Sequence, residues 1–151
     1  MSMYRILYRG ALTAATTKTF LVLATPSTKR AIIKQWGVSL NGVDASQTPV
    51  LVELMRFTTA GTGGTTIAAP VKEDPGSEAS LLTASFRTPT AEPTAGDILE
   101  QHEITPAGGL LVMQYALGDE PVMGVSQWLG IRYTTVTGVA PTMSAHIKFA
   151  E

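Results

Sequence analysis

Apolar and polar residues alternate along most of this chain, in segments of five to ten residues separated by turns rich in Gly, Pro and Thr. A period of two places every second side chain on one face of a β-strand. No segment of ten or more residues holds the 3.6-residue period of an amphipathic helix. The clearest strand is 49–57, where Val50, Val52 and Leu54 face one way and Leu51, Met55 and Phe57 the other. Two apolar faces predict a central strand, or one whose outer face meets another subunit.

Other strands follow the same pattern. Residues 16–24 form a β-like run ended by Thr25-Pro26-Ser27. In 30–40, Ile32, Trp36, Val38 and Leu40 share a face on which Lys34 is the exception, and Asn41-Gly42 then signals a turn. Segments 97–105, 110–117 and 127–135 alternate similarly. The last, 142–149, places Met143, Ala145, Ile147 and Phe149 inward. Segment 79–86 reads as a strand or a short helix. Segment 58–66 is a Gly-rich loop, 70–77 a charged turn, and 88–96, with Pro89 and Pro93, an extended connector.

The sum is eight or nine strands, so the expected fold is all-β: an antiparallel β-sandwich or jelly roll of about eight strands. Without cysteine, the Cys…Trp…Cys hallmark of an immunoglobulin-like sandwich is impossible. A length of 151 residues suits one domain, expected over 16–151. Residues 1–15 read as an N-terminal arm, a strand that pairs with a neighbour.

Composition narrows the chemistry. Hydrophobic residues are 44% and charged residues 15% of the chain, well under the ~25% charge of a typical soluble domain. Such a surface suits a protein that is itself covered. A net charge of −1 gives no general argument for nucleic acid or an anionic membrane. The charges are segregated, however. Arg5, Arg9, Lys18, Lys29, Arg30 and Lys34 fill residues 1–43 without an acid, whereas 73–120 carry nine acids against Arg87. The two regions are complementary in sign, between subunits or simply as solvated faces. The apolar run 20–24 is too short for a signal-peptide core or a membrane span.

Few residues point to catalysis. Glu100 and His102 share a strand face, as an acid–base or metal pair or as part of a polar outer face. The loop Gly61-Thr62-Gly63-Gly64-Thr65-Thr66 lacks the Lys of a phosphate loop and a following helix. Glu73-Asp74 with Glu78, and Asp119-Glu120, lack the spacing of an EF-hand. Trp36 aligns with core positions, and Trp128 opposes Leu129, Ile131 and Tyr133, as an interface residue or a ligand platform. No cofactor or metal site is expected.

Two stretches carry a resemblance. One is Thr48-Pro49-Val50-Leu51-Val52-Glu53-Leu54 with its following Gly/Thr loop. The other runs from Glu92-Pro93-Thr94 through Ile104-Thr105-Pro106-Ala107-Gly108-Gly109 to Leu117-Gly118-Asp119-Glu120-Pro121. Over 16–151 the chain resembles the jelly-roll head decoration (cement) proteins of tailed bacteriophages. The resemblance implies a non-enzymatic protein on the outer capsid surface of the virion, a homotrimer bound to the major capsid protein. It implies no nucleic acid or membrane partner. The expected interface comprises Tyr4, Arg5, Ile6, Leu7, Tyr8 and Arg9 of the arm, with Met55, Phe57 and Trp128. On this reading, removing residues 1–15 leaves a folded domain with weaker attachment. The alternative is a carbohydrate- or receptor-binding module of a phage tail or fibre, centred on Trp128 with Tyr133 or Tyr115.

Overall fold

The computed structural model describes residues 1–42, 48–67, 69–82, 86–87 and 89–151, the pair 86–87 by backbone alone. Strands β1 (Met3–Ala11), β2 (Thr17–Ala24), β3 (Ala31–Asn41) and β4 (Val50–Phe57) come first. Three two-residue strands follow: β5 (Thr65–Thr66), β6 (Val71–Lys72) and β7 (Phe86–Arg87). Then come β8 (Ala95–Ile104), β9 (Leu110–Gln114), the two-residue β10 (Val122–Met123), β11 (Trp128–Thr134) and β12 (Thr142–Ala150). Among the described residues no helix occurs. Among the described residues eight strands have five residues or more; the excess over the expected number consists of the two-residue strands, too short to carry a pattern.

One sheet has six strands: β6, β1, β12 and β3 in order, with β9 and β10 both on the far side of β3. The other runs β2-β11-β4-β8, and β5 pairs with β7. All of these pairings are antiparallel. The eight long strands are nested: β1 pairs with β12, β2 with β11, β3 with β9 and β4 with β8. Rolled up, that nest is a jelly roll, the expected architecture.

The core lies between the two sheets, where one contiguous cluster joins Tyr4, Ile6, Trp36, Val52, Leu54, Ile131, Tyr133, Ile147 and Phe149. Met143, Ala145, Ile147 and Phe149 face inward as their alternation predicts. The Lys34 exception has a structural cause. The register of β3 against β12 shifts here, Lys148 pairing with Gln35 and Phe149 with Ile33. Lys34 is the extra residue of a β-bulge. The bulge turns Ile33 rather than Ile32 into the core and frees Lys34 to reach Glu120 at 2.8 Å.

Residues 1–15 are not an arm. β1 pairs with β12 over nine residues and with β6 on its other side at Tyr4 and Arg5. Tyr4, Ile6 and Leu12 are buried in the core. The rough alternation from Tyr4 to Arg9 was therefore a true strand signal. The domain boundary expected at residue 16 cuts through the sandwich. The strand expected over 110–117 ends at Gln114, and Leu117 is exposed beyond it. In 79–86, residues 79–82 are irregular, 83–85 lie outside the described residues, and the strand present begins only at Phe86.

Two short links set which edges lie together. Residues 12–16 join β1 to β2 on one side of the sandwich, and 105–109 join β8 to β9 on the other. The long connector from β4 to β8 runs back along the β1/β2 side. There it supplies β6 to β1, places β7 beside β2, and brings Glu92 Oε2 to accept the Thr19 N–H at 2.8 Å.

Candidate interaction surfaces

The outer face of the six-stranded sheet carries the clearest uncovered apolar surface. Antiparallel register places Val112, Gly37, His146 and Leu7 in one row across β9, β3, β12 and β1. The next row reads Leu110, Ser39, Ser144 and Arg9. Leu7 is 54%, Val112 47% and Leu110 72% exposed. The His146 ring lies over Gly37, where a Cβ would meet its Cε1 at 2.5 Å and the Leu111 carbonyl oxygen at 2.8 Å, so a larger residue would force the backbone or the ring to shift. Burial, and secondarily the Arg5 charge, hold the His146 imidazole below its ordinary value of 6.5. The centre of the face is therefore neutral near pH 7. Shallow hollows of about 100 and 230 Å³ flank Leu7.

The outer face of the four-stranded sheet differs. Val22 and Met55 are completely buried there, joined by Phe57 and the half-buried Trp128 in a second cluster. Glu53, only 3% exposed, accepts from Arg132 at 2.8 Å and from the Gln101 amide at 3.3 Å. At the end of this face Phe57 and Trp128 stand opposite each other in register. With Arg56, Asp97 and Gln127 they line a groove of about 390 Å³.

Glu100 and His102 do not form a polar outer face. Their register partners Leu54 and Val52 are core residues, so both side chains point between the sheets. His102 Nε2 lies 3.3 Å from Glu100, the Trp36 ring centroid is 6.0 Å from His102, and Tyr115 OH donates to the same carboxylate. Burial, then the Glu100 carboxylate, raise the Tyr115 phenol well above its usual range. The cluster closes the β8/β9 edge of the sandwich. Among the described residues no group of three or more His, Cys, Asp or Glu side chains could hold a metal ion.

The other acidic candidates are used in ion pairs and turns. Glu73 pairs with Arg5 and Lys148, the Asp74 carboxylate accepts the Gly76 N–H, and Glu120 pairs with Lys34. The Lys34 ammonium is the chief cause that lowers the Glu120 carboxyl from its ordinary value. In the Gly61–Gly64 loop Gly61, Gly63 and Gly64 take positive φ, and the segment leads into β5, not a helix.

The expected interface residues therefore separate. Tyr4, Ile6 and Met55 are interior, and Tyr8 is half-buried with its ring 4.8 Å from Phe20. Leu7 and Arg9 are exposed on the outer face of the six-stranded sheet, Arg5 is half-exposed beside them, and Phe57 with Trp128 flank the groove. Of the alternative platform, Tyr133 is buried and Tyr115 lies away from that groove. Sequence reasoning missed Leu110, Val112 and His146. The available signal was Leu110-Leu111-Val112-Met113, four consecutive apolar residues in a short strand with only one face to bury.

No family model matches the chain, and among curated proteins no match is found.

Proposed function

We propose that the chain is a non-enzymatic structural protein that decorates and stabilises the outer surface of a tailed-phage capsid as a trimer, bound to the major capsid protein. The observation that carries this reading is the flat apolar row Val112–His146–Leu7 on the six-stranded sheet, flanked by Arg5, Arg9 and Lys148. Exposed apolar surface arranged across a regular sheet suits a broad protein partner better than a small molecule. The jelly roll, a fold used by capsid and lectin domains alike, is compatible with the reading without assigning it. In a trimer each weak contact is reinforced by the other two, so modest apolar patches clamp a shell firmly.

The test is co-sedimentation with tailed-phage heads that lack their decoration protein. The intact chain is expected in the pellet and Leu7→Asp/Val112→Asp in the supernatant. An intact chain that stays in the supernatant overturns the reading, as does a variant that pellets equally well.

A second reading, a carbohydrate- or receptor-binding module of a tail or fibre, is favoured by the groove between Phe57 and Trp128. Trp36 is wholly buried, so quenching of tryptophan fluorescence by an added glycan would report on Trp128. A saturable quench abolished by Trp128→Ala supports this reading; no response to a glycan panel removes it.

A further inference from the structure

We infer that copies of this chain join edge to edge, β1 of one copy adding to β8 of the next. The contact gives a surface to the trimer of the proposed function and in that respect deepens that reading, but the argument rests on the two edges alone.

The β1 edge is half open. Ser2 and Glu151 exchange both backbone hydrogen bonds, at 3.1 Å each, so Ser2 faces β12. By antiparallel alternation Met3, Arg5, Leu7, Arg9 and Ala11 direct their N–H and C=O groups away from β12. Met3 O accepts from Glu73 N on that side at 2.9 Å, and β6 covers Arg5. Among the described residues no strand pairs with β1 on that side beyond Arg5. The backbone groups of Leu7, Arg9 and Ala11 thus form a short template for a further strand.

The β8 edge is open as well, since among the described residues β8 pairs only with β4. Thr58 N–H donates to Thr94 O, and β4, regular against β11, by alternation turns the backbone of Leu54, Val52 and Val50 to Glu100, His102 and Ile104, which leaves Gln101 and Glu103 pointing away from β4. The register shifts in this ladder lie at the Met55 end, so 100–104 is regular strand. β8 and β1 belong to different sheets and to opposite sides of the sandwich.

Charge selects the partner. Arg9 is exposed on the β1 edge, and Asp97 and Glu103 are exposed along β8. None of the three has an ion-pair partner among the described residues. Pairing β1 with β1, or β8 with β8, sets like charges side by side and is disfavoured. Pairing β1 with β8 sets Arg9 against the acidic residues of β8. The segregation of basic and acidic residues in the sequence thus becomes two complementary edges. A contact between different patches is heterologous, and such contacts close into rings or continue as filaments. A three-membered ring is the form expected here.

The experiment is light scattering on the full chain across a concentration series, for wild type, Arg9→Glu, Glu103→Arg and the double variant. The substituted side chains are exposed, and unchanged thermal melting verifies folding. Wild type is expected near three times 16.0 kDa. Each single variant is expected to weaken association about tenfold or more, and the double variant to restore it. A wild type that remains monomeric, single variants that assemble like wild type, or a double variant that does not recover each overturns the edge contact. A wild-type oligomer that fails to bind heads overturns the capsid reading alone. A monomer that decorates heads overturns the edge contact alone.

Discussion

The outer faces of the two sheets are built from similarly apolar strands and end differently. On the four-stranded sheet Val22 and Met55 lose all contact with solvent, and Glu53 is buried with Arg132 as its ion-pair partner. On the six-stranded sheet Leu7, Leu110 and Val112 remain in water. A strand with two apolar faces is therefore not in itself an interface. The second face of β4 is satisfied within the chain, while the uncovered face belongs to β1 and β9, where the sequence shows a weaker pattern. Burial already achieved stabilises the fold; burial still available is what a partner can use.

Deleting residues 1–15 tests this most severely. It removes β1 and with it Tyr4, Ile6 and Leu12 from the core. At about 2 kcal/mol each, their loss alone is comparable with the ~5–15 kcal/mol stability of a typical domain. The truncated chain is expected to lack cooperative thermal unfolding by circular dichroism. A sharp transition near that of the intact chain would return β1 to the status of a detachable arm.

The contrast between faces sharpens with a matched pair of substitutions. Met55→Ala opens space at a fully buried site and is expected to cost about 2–3 kcal/mol in urea unfolding. Leu7→Ala changes a half-exposed site and is expected to alter stability by no more than about 0.5 kcal/mol. Equal losses would show that the outer face of the six-stranded sheet is covered in solution.

The smallest effect concerns pH. His146 has its proton affinity lowered in the folded chain, chiefly by burial. The unfolded chain takes up this proton near pH 6.5, the folded chain only at lower pH. Stability is thus fully retained above pH 6.5 and declines as pH falls from there through the folded-state value. Thermal melting of His146→Gln should show a shallower decline over that interval than the intact chain. Identical profiles would mean that His146 does not contribute.

Legibility followed the strength of local patterns. β12, with four apolar residues alternating with polar ones, was readable almost to the residue, as was β4. β1 was not, because Arg5, Leu7 and Arg9 alternate with Tyr4, Ile6 and Tyr8 in a run whose solvent side includes a leucine and whose inner side includes tyrosines. Sequence reading placed Trp36 in the core, but the bulge at Lys34 that reverses Ile32 and Ile33 depends on the register with β12. Met55 was taken for an interface residue because the pattern shows only that a face is apolar, not what lies over it.

Strand period and turn residues alone specified the all-β class, most inward-facing positions and the segregation of charge. These depend on the period of side chains along a strand and on turn residues, both local properties. Long-range pairing was needed to choose the jelly roll among sandwiches, to place β1 within the sheet, to bring Glu53 to Arg132, to set Leu7 and Val112 in one exposed row, and to put basic and acidic residues on opposite edges. Each of these depends on pairing between segments up to the full chain apart, as β1 with β12, and long-range register is set by the packing of the whole core rather than by any single segment.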